Sequence, residues 1–361
     1  MRRGPRIAPS VFLGRFFEHS SLAPGYPGRM KAVRMQAYGA PDVLALDEVP
    51  RPEPGPGQVT VRIHASSVNP IDWKIRSGGQ RGLIRYSMPR TLGMDLSGEV
   101  AAVGSGVRDL KVGDEVWGSP AHTADGTYAE YAAIPAGQLG LKPKRLSHPE
   151  AAALPLVGLT ALEALVTKAK VQAGERVLIH AGSGGVGHVA IQIAKAKGAE
   201  VVTTCSERNI DLVRSFGADQ VIDYKKEHFH ETLSGVDVGL EALGGPCRAQ
   251  TLQVLRRGGR MPCIVGNIPK FVKRYGPALG VPLAVFDIAG FVLKARLLKG
   301  VRVYQIVRPP RRDRLDALRQ LVDAGQLTPR IDRSFGLDAV AEAHTYSQTG
   351  RARGKIVIEV A

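Results

Sequence analysis

The sequence has few cysteines, and they follow no recognisable spacing. Its 361 residues include three of them, Cys205, Cys247 and Cys263, which are too few and too scattered for a disulfide framework. They also lack the paired C-x-x-C spacing of a structural zinc site. These absences exclude a disulfide-rich secreted scaffold and favour a reducing compartment, which we take to be the cytoplasm.

A long uninterrupted hydrophobic run is missing as well. The nearest candidate, residues 277–293, carries Asp287 and is interrupted by Pro282, and its length is at the lower limit for crossing a bilayer. We therefore expect no membrane span. The stretch is predicted to form a helix packed between domains or subunits, and a peripheral membrane contact is the alternative.

Acidic residues are scarce relative to basic ones, with 33 Asp and Glu against 49 Lys and Arg and a net charge of +16. Part of the excess lies in residues 1–29, which are rich in Arg, Gly and Pro and contain one acid, Glu18. This segment is predicted to be a disordered extension. An organelle-targeting segment is the alternative, because such segments are also Arg-rich and poor in acids.

A second concentration of positive charge lies between residues 294 and 314. Such a stripe could neutralise the phosphates of RNA, but no stacking aromatics and no recognised nucleic-acid module accompany it. A solvated or lipid-facing surface is favoured over nucleic-acid binding. The stripe consists of Lys294, Arg296, Lys299, Arg302, Arg308, Arg311, Arg312 and Arg314.

The remaining composition is that of a soluble globular protein, with 44% hydrophobic and 23% charged residues. The length allows two domains. In residues 30–147, stretches that alternate apolar and polar residues are separated by turns containing Gly and Pro. This pattern is typical of a mostly β domain. From residue 149 onward, strand patterns alternate with helical patterns, which indicates βαβ units and a parallel sheet. The predicted fold class is therefore α/β.

A glycine-rich stretch, "IHAGSGGVGHVA" (179–190), follows one of these strands and opens a helix. Its glycines fit G-x-G-x-x-G, in which the first makes a tight turn, the second admits a pyrophosphate and the third packs the helix on the strand. The free N–H groups of the helix start then face the phosphates. The stretch predicts a dinucleotide site at Gly182, Ser183, Gly184, Gly185, Val186 and Gly187.

The next strand, "EVVTTC", bears on which dinucleotide is bound. NAD-binding proteins place an acidic side chain at the end of this strand, where it binds a ribose hydroxyl. Here Ser206 and Arg208 follow the strand, and an Arg can hold a 2′-phosphate through charge-assisted hydrogen bonds. We predict NADPH, although the charge of Glu207 could oppose that of Arg208.

These segments together resemble the medium-chain dehydrogenase/reductase superfamily, and within it the zinc-free quinone oxidoreductase (zeta-crystallin-like) branch. The resemblance implies a GroES-like domain formed by residues 30–152 and 300–361, with a Rossmann NADP-binding domain at 153–299 inserted in it. It also implies a homodimer. The segments are "VNPIDWKIRSG", "LGMDLSGEV", "VGDEVWG", "GTYAEYAAIP", "GLTALEAL", "AGSGGVG", "GADQVIDY" and "GRARGKIVIEV".

Zinc alcohol dehydrogenases of this superfamily bind their catalytic metal partly through a cysteine and a histidine. The matching positions here are Asn69 and Met94, and an amide and a thioether are poor zinc ligands. The lobe of four closely spaced cysteines is also missing. We therefore expect no metal, and a hydride acceptor that is already electrophilic: a quinone or an α,β-unsaturated carbonyl.

The resemblance extends to individual residues. It places Asn69 and Lys74 beside the nicotinamide as candidate catalytic donors, although a tyrosine stands near the Lys74 position in several quinone reductases. It also implies contacts with the cofactor. The alternatives are structural roles: a helix-cap hydroxyl for Thr160, a core aromatic for Tyr224, a turn residue for Asn267 and a solvated charge for Lys355. The implied contacts are Thr160, Tyr224, Gly266, Asn267 and Lys355.

Overall fold

The computed structural model describes residues 28–121 and 125–360. The predicted extension 1–29 therefore lies outside the described residues except for its last two positions, and the first strand begins at Arg29.

The first part of the described chain is mostly β. Its two helices, α1 (Pro70–Arg76) and α2 (His148–Ala152), begin at prolines or just before one, where the missing N–H costs no helical hydrogen bond. Its strands are β1 (Arg29–Met35), β2 (Leu44–Pro50), β3 (Gln58–Val68), β4 (Arg90–Thr91), β5 (Leu96–Val103), β6 (Glu115–Gly118), β7 (Tyr131–Pro135) and β8 (Leu139–Leu141).

The middle of the chain alternates strands and helices as predicted. The strands are β9 (Arg176–Ile179), β10 (Glu200–Cys205), β11 (Gln220–Asp223), β12 (Val236–Leu240), β13 (Leu255–Cys263) and β14 (Arg302–Gln305). The helices are α3 (Pro155–Leu162), which continues into a π-helical turn at Glu163–Lys168, α4 (Gly185–Ala196), α5 (Ile210–Ser215), α6 (Phe229–Thr232), α7 (Pro246–Val254) and α8 (Ile268–Lys299).

These six strands form one parallel sheet in the order β11-β10-β9-β12-β13-β14. This is the doubly wound Rossmann order, in which ligands bind at the carboxyl ends of the strands where the order reverses. The reversal lies between β9 and β12, so the glycine-rich stretch after β9 stands at the binding edge. The sheet also runs past the predicted domain boundary at residue 299, because β14 pairs in register with β13 from Arg302 to Gln305.

The tail returns to the first domain. It consists of α9 (Arg312–Asp323), β15 (Ile331–Gly336), α10 (Val340–Gln348) and β16 (Lys355–Glu359). β16 pairs antiparallel with β3, and β15 pairs with β16. The tail thereby extends a seven-stranded sheet, β15-β16-β3-β5-β6-β8 with β7 also on β3, while β2-β1-β4 form a smaller sheet. The GroES-like plus Rossmann architecture is confirmed.

One apolar core joins the two domains. The buried cluster that packs α3 and α4 on the parallel sheet also contains Trp117 from β6 and Leu315 and Leu318 from α9. A Cβ at Gly158 on α3 would lie only 2.7 Å from Leu318 Cδ1. The cleft between the domains is therefore closed at its base by tightly packed side chains.

The helix α8 departs from the sequence prediction. Within the described residues it is long and apolar enough to cross a membrane, and only 11% of its most apolar window is buried. The expectation that this helix packs between the domains is therefore wrong, and packing between subunits stays a prediction. The reason is geometric: the helix is broken at Gly276 (φ 73°), and its buried residues are confined to Gly280, Ala284 and Ala295.

The basic stripe 294–314 does not form one free surface. Lys299 donates to the carbonyls of Gln253 and Leu255, and Arg308 donates to those of Ser119 and Pro120. Arg312 is held by three oxygen atoms of the first domain. These cations form hydrogen bonds with other parts of the same chain. The structure therefore gives the RNA-binding alternative no support.

Candidate active site

The glycine-rich stretch forms the turn between β9 and α4. A Cβ at Gly182 would lie 2.1 Å from Thr203 Oγ1, and one at Gly187 would lie 2.2 Å from the Ala181 carbonyl oxygen. These two glycines are therefore required for packing the turn and the helix start against the sheet. At Gly184 the nearest atom to a Cβ would be 3.2 Å away, and at Gly185 it would be 3.4 Å away.

Gly184 caps α4, so the N–H groups of Gly185, Val186 and Gly187 have no partner within the helix. A bare backbone, three N–H donors and the positive end of the helix dipole together fit a pyrophosphate.

His188 holds this turn against the other domain. Burial lowers the pKa of His188 to about 4, so the ring is neutral near pH 7. Its Nε2 accepts the Arg330 N–H at 3.2 Å, and therefore its Nδ1 carries the proton and donates to the Gly184 carbonyl at 2.9 Å.

A cavity of about 450 Å³ lies beside the turn, at the ends of β10 and β11. It brings together five of the predicted cofactor residues: Ser183, Gly184, Ser206, Arg208 and Tyr224. The possible opposition of Glu207 to Arg208 does not occur, because the Glu207 carboxylate binds Lys226 Nζ at 2.6 Å. Among the described residues Arg208 has no hydrogen-bonding or ion-pair partner.

Two residues at this cavity escaped the sequence analysis. Arg351, in the loop between α10 and β16, is a second arginine that lines this cavity. Asn209 Nδ2 donates to Ser183 Oγ at 3.0 Å and to Ser206 Oγ at 3.3 Å, which positions both hydroxyls. The spacing "GRARGK" shows a basic loop, but only the return of the tail brings Arg351 to the Rossmann domain.

A second cavity, of about 220 Å³, lies in the cleft between the domains. It brings Asn69 and Lys355 of the first domain to Gly185 and Val186 of the helix start. Gly350 and Ala352 line both cavities, so the tail loop runs along one continuous groove.

Asp95 lies behind this second cavity and was not predicted. Its Oδ2 lies 3.3 Å from Lys355 Nζ and accepts from Asn69 Nδ2 at 2.8 Å and from Ser67 Oγ at 2.7 Å. Its Oδ1 accepts the Leu156 N–H at 2.7 Å. Asp95 is completely buried, so this network is a desolvated ion pair with its hydrogen bonds satisfied.

Asn69 and Lys355, which were predicted to act on ligands, are hydrogen-bonded within this network. Asn69 Oδ1 accepts from Lys355 Nζ at 2.6 Å while its amide nitrogen donates to Asp95. The geometry thus gives Asn69 a positioning role. The Lys355 ammonium, predicted to reach a phosphate, is already paired.

The other predicted residues do not line these two cavities. The Thr160 hydroxyl donates to the Leu156 carbonyl within α3 at 2.7 Å. Gly266 and Asn267 lead into α8, and the Asn267 amide donates to Asp287. Lys74 is exposed on α1 and lines a larger cavity of about 1,100 Å³, together with Trp73, residues 77–83 and the start of α8.

Two family models match this architecture. One, described as the alcohol dehydrogenase GroES-like domain, covers residues 55–144, and one, described as zinc-binding dehydrogenase, covers residues 216–358. The mitochondrial NAD(P)H oxidoreductase RTN4IP1 of Homo sapiens is 36% identical over 326 residues, which span 84% of this chain and 82% of that protein.

Two further similarities agree. The chloroplastic NADPH-dependent alkenal/one oxidoreductase of Arabidopsis thaliana is 34% identical over 92% of this chain and 80% of that protein. The solved structure of the quinone oxidoreductase from Coxiella burnetii has a TM-score of 0.80 and 35% identity, and the match covers 92% of this chain and all of that one.

The chain belongs to the medium-chain dehydrogenase/reductase superfamily. It falls in the zinc-free quinone oxidoreductase branch and is an oxidoreductase that uses a nicotinamide cofactor. These two relatives are a mitochondrial and a chloroplastic protein.

The residues of this dehydrogenase/reductase do not fit the zinc of its metal-dependent relatives. The amide of Asn69 is bonded to Asp95 and Lys355, and the buried Met94 offers a thioether. Residues 28–121 and 125–360 contain no group of three or more His, Cys, Asp or Glu side chains that could hold a metal ion.

Asp72 lies next to this network, and its carboxyl group has a raised pKa. Burial raises the pKa of Asp72 from 3.8 to about 7, and the charge of Asp95 adds to the shift. Its Oδ2 accepts the Asn69 N–H at 2.7 Å and the Tyr128 hydroxyl at 3.2 Å. Near pH 7 this carboxyl group is therefore partly protonated.

The Lys355→Met substitution tests the ion pair. It is expected to reduce the free energy of unfolding by about 3 kcal/mol or more, because the Asp95 charge stays buried without its cation. The double substitution Asp95→Asn/Lys355→Met should recover at least about half of this loss, since no charge is then left. Urea unfolding of the parent, the two single variants Lys355→Met and Asp95→Asn, and the double variant measures these values. A double variant as unstable as the sum of its single variants would contradict the pairing.

The Asp72→Asn substitution tests the raised pKa. Between pH 3.8 and about 7 the folded protein keeps the Asp72 proton while the unfolded chain releases it, so stability falls as the pH rises through this window. The loss is at most about 1.4 kcal/mol per pH unit. Urea unfolding at pH 5 and pH 7 should show a smaller pH-dependent loss in the variant than in the parent. Equal losses would show that Asp72 titrates normally.

Proposed function

We propose that this chain transfers hydride from NADPH to quinones or α,β-unsaturated carbonyls without a metal. The observation that carries the proposal is the cavity at the ends of β10 and β11, where two arginines, Arg208 and Arg351, line the wall beside the glycine-rich helix start. The names of the relatives, a quinone oxidoreductase and an alkenal/one oxidoreductase, support this acceptor class.

NADPH fits this cavity better than NADH for an electrostatic reason. The 2′-phosphate carries a charge that guanidinium groups bind through paired hydrogen bonds, and Ser206 adds a hydroxyl at the same wall. The first acid after β10 in the chain, Glu207, is bonded to Lys226. We propose that Ser206, Arg208 and Arg351 select the phosphate and that Tyr224 covers the adenosine.

The groove assigns roles to the remaining groups. Backbone N–H groups of Gly185, Val186 and Gly187 would hold the pyrophosphate, and the network of Asn69, Lys355 and Asp95 would fix the floor of the cleft. The reduced nicotinamide supplies the hydride when it is bound. Thr160, Gly266 and Asn267 remain proposed contacts of the nicotinamide half.

The acceptor is proposed to bind in the cavity of about 1,100 Å³ that α1 shares with α8. Pro70, in the second cavity, and Trp73 and Lys74, in this one, follow the i, i+3, i+4 spacing that places residues on one face of a helix. The Lys74 ammonium would stabilise negative charge that develops on the acceptor oxygen. A conjugated acceptor needs little more, because hydride adds to its β-carbon and a proton from water completes the reduction.

We further propose a homodimer. β14 is the edge strand of the parallel sheet, and an edge presents unpaired N–H and C=O groups that a second copy of the strand can meet about a twofold axis.

A reducing compartment is proposed from the cysteines, which are all free. Burial raises the pKa values of the Cys205 and Cys247 thiols to about 11 and that of Cys263 to about 12. We keep the cytoplasm as the proposed location on this ground.

The cofactor assignment is tested by the ratio of kcat/KM for NADPH and NADH, which should favour NADPH. Replacing Arg208 or Arg351 by Ala should raise KM for NADPH by about tenfold or more, since a hydrogen bond to a charged group contributes about 1.5–3 kcal/mol. KM for NADH should change little. Arg108→Ala, at an exposed arginine outside the cavity, is the matched control, and a parent enzyme that prefers NADH would overturn the assignment.

The acceptor class is tested by NADPH oxidation with quinones, enones and simple aldehydes. We expect turnover of the first two classes and little of the third. Lys74→Met should lower kcat/KM for an enone by about tenfold while KM for NADPH is kept, because the cation acts on the acceptor. The exposed Lys144→Met is the control. An unchanged rate in the Lys74 variant would remove this residue from the reaction.

A further inference from the structure

The cavity of about 1,100 Å³ between α1 and α8 has a one-sided charge. Among the described residues, its lining contains five cationic side chains and no acid. The whole chain has 33 acids against 49 lysines and arginines, so this lining is more basic than the sequence average. All five cations are exposed. They are Lys74, Arg81, Arg85, Lys270 and Lys273.

These five cations are not paired within the protein. Across residues 28–121 and 125–360 none of their side chains forms an ion pair or a hydrogen bond. The Lys74 ammonium lies over the Trp73 ring at 5.6 Å, and the Arg81 guanidinium lies over the Tyr38 ring at 5.8 Å. Their charges are therefore free to act on a ligand in the cavity, unlike those of the bonded cations in the basic stripe.

The cations reach the cavity from both domains. Lys270 and Lys273 are three positions apart, so they share one face of the first turns of α8. Arg81 and Arg85 belong to the loop between α1 and β4. The loop and the helix are in direct contact, since a Cβ at position 82 would lie 2.2 Å from a Val272 methyl carbon. The folded chain thus places four cations around one opening.

The same cavity also has an apolar lining. A ligand that uses the whole cavity would combine an apolar body with a negatively charged end, because pockets orient their ligands through a few polar groups set in apolar surface. The apolar lining residues are Trp73, Leu83, Pro269, Val272 and Pro277.

The phosphates of the cofactor do not account for these cations. They are assigned to the helix start of α4 and to the cavity of about 450 Å³, and no residue of that cavity lines the larger one. A neutral acceptor would leave the cations without an anion as well. Grouped charges of one sign raise the local concentration of ligands of the opposite sign.

We infer that the acceptor carries an anionic group, a carboxylate or a phosphate. Arg81, Arg85, Lys270 and Lys273 hold this group, while the conjugated part of the molecule lies along Trp73 and reaches Lys74. The inference rests on the proposed function for its place in the reaction, because it narrows the acceptor class that the same cavity takes.

A matched set of acceptors tests this preference. One vinyl ketone is prepared at several tail lengths, with the tail ending in a carboxylate, a phosphate monoester or a methyl ester. At the best length, kcat/KM should be about tenfold higher for an anion than for the ester, and the difference should shrink at about 0.5 M salt, where charges are screened. A gain for one anion alone would support the inference and identify the group. Equal values for the anions and the ester at every length would overturn it.

The variant Lys270→Gln/Lys273→Gln assigns the preference to this cavity. It should reduce the preference for the anion over the ester by about fivefold or more through KM of the anion, while KM for NADPH is kept. The control Lys111→Gln/Lys144→Gln removes the same charge from exposed sites outside the cavity and should keep the preference. An equal effect of both variants would overturn the inference, because only net charge would then matter. Thermal unfolding checks that both variants are folded.

Calorimetric binding of the saturated ketone acid separates the inference from the proposed function. This compound has no conjugated double bond, so its binding to the protein does not require hydride transfer. If no acceptor is reduced, but the acid binds more tightly than its ester and the Lys270/Lys273 variant loses this difference, the proposed function fails and the anion site stands. Equal Kd values for acid and ester would overturn the inference, whether or not the acceptors are reduced.

Discussion

The buried pair of Asp95 and Lys355 is the interaction on which the cleft depends. Through this pair and its hydrogen bonds the end of β3, the start of β5, the N-terminal turn of α3 and the first residue of β16 are fixed to one another. These segments come from both domains and from the returning tail. A buried charged group is strongly destabilising when it loses its ion-pair partner. The network therefore holds the floor of the cleft in a single arrangement.

The cofactor groove is built around that floor. On one side the glycines of the turn after β9 leave backbone N–H groups uncovered, and two of these glycines are dictated by contacts of 2.1–2.2 Å that a Cβ would make. On the other side the tail loop carries Gly350, Arg351 and Ala352 along the same groove. The binding surface thus belongs to two domains, and the neutral His188 connects them through Gly184 and Arg330.

The helix α8 has a different relation to the two halves of the molecule. Its first turns form one wall of the large cavity beside Trp73 and Lys74, while the segment after Gly276 exposes an apolar stripe. The break at Gly276 permits both, because the positive φ of a glycine turns the chain without strain. An exposed apolar face and the proposed acceptor cavity are therefore close neighbours in this fold.

Much of the fold could be predicted from local patterns. The alternation of strands and helices indicated the parallel sheet, and the glycine spacing located the phosphate turn, since both depend on residues adjacent in the chain. The predicted phosphate-end residues, Ser183, Ser206, Arg208 and Tyr224, meet in one cavity because they follow consecutive parallel strands, whose carboxyl ends share an edge.

The sequence by itself determined these backbone features and the amide and thioether at the positions of zinc ligands. Only the tertiary structure decided that Asn69 and Lys355 satisfy Asp95, that Arg351 lines the same cavity as Arg208, and that α8 stays exposed. Each of these outcomes joins residues or surfaces far apart in the chain. A side chain's partner and its exposure depend on what the folded chain brings beside it, and no local pattern contains that information.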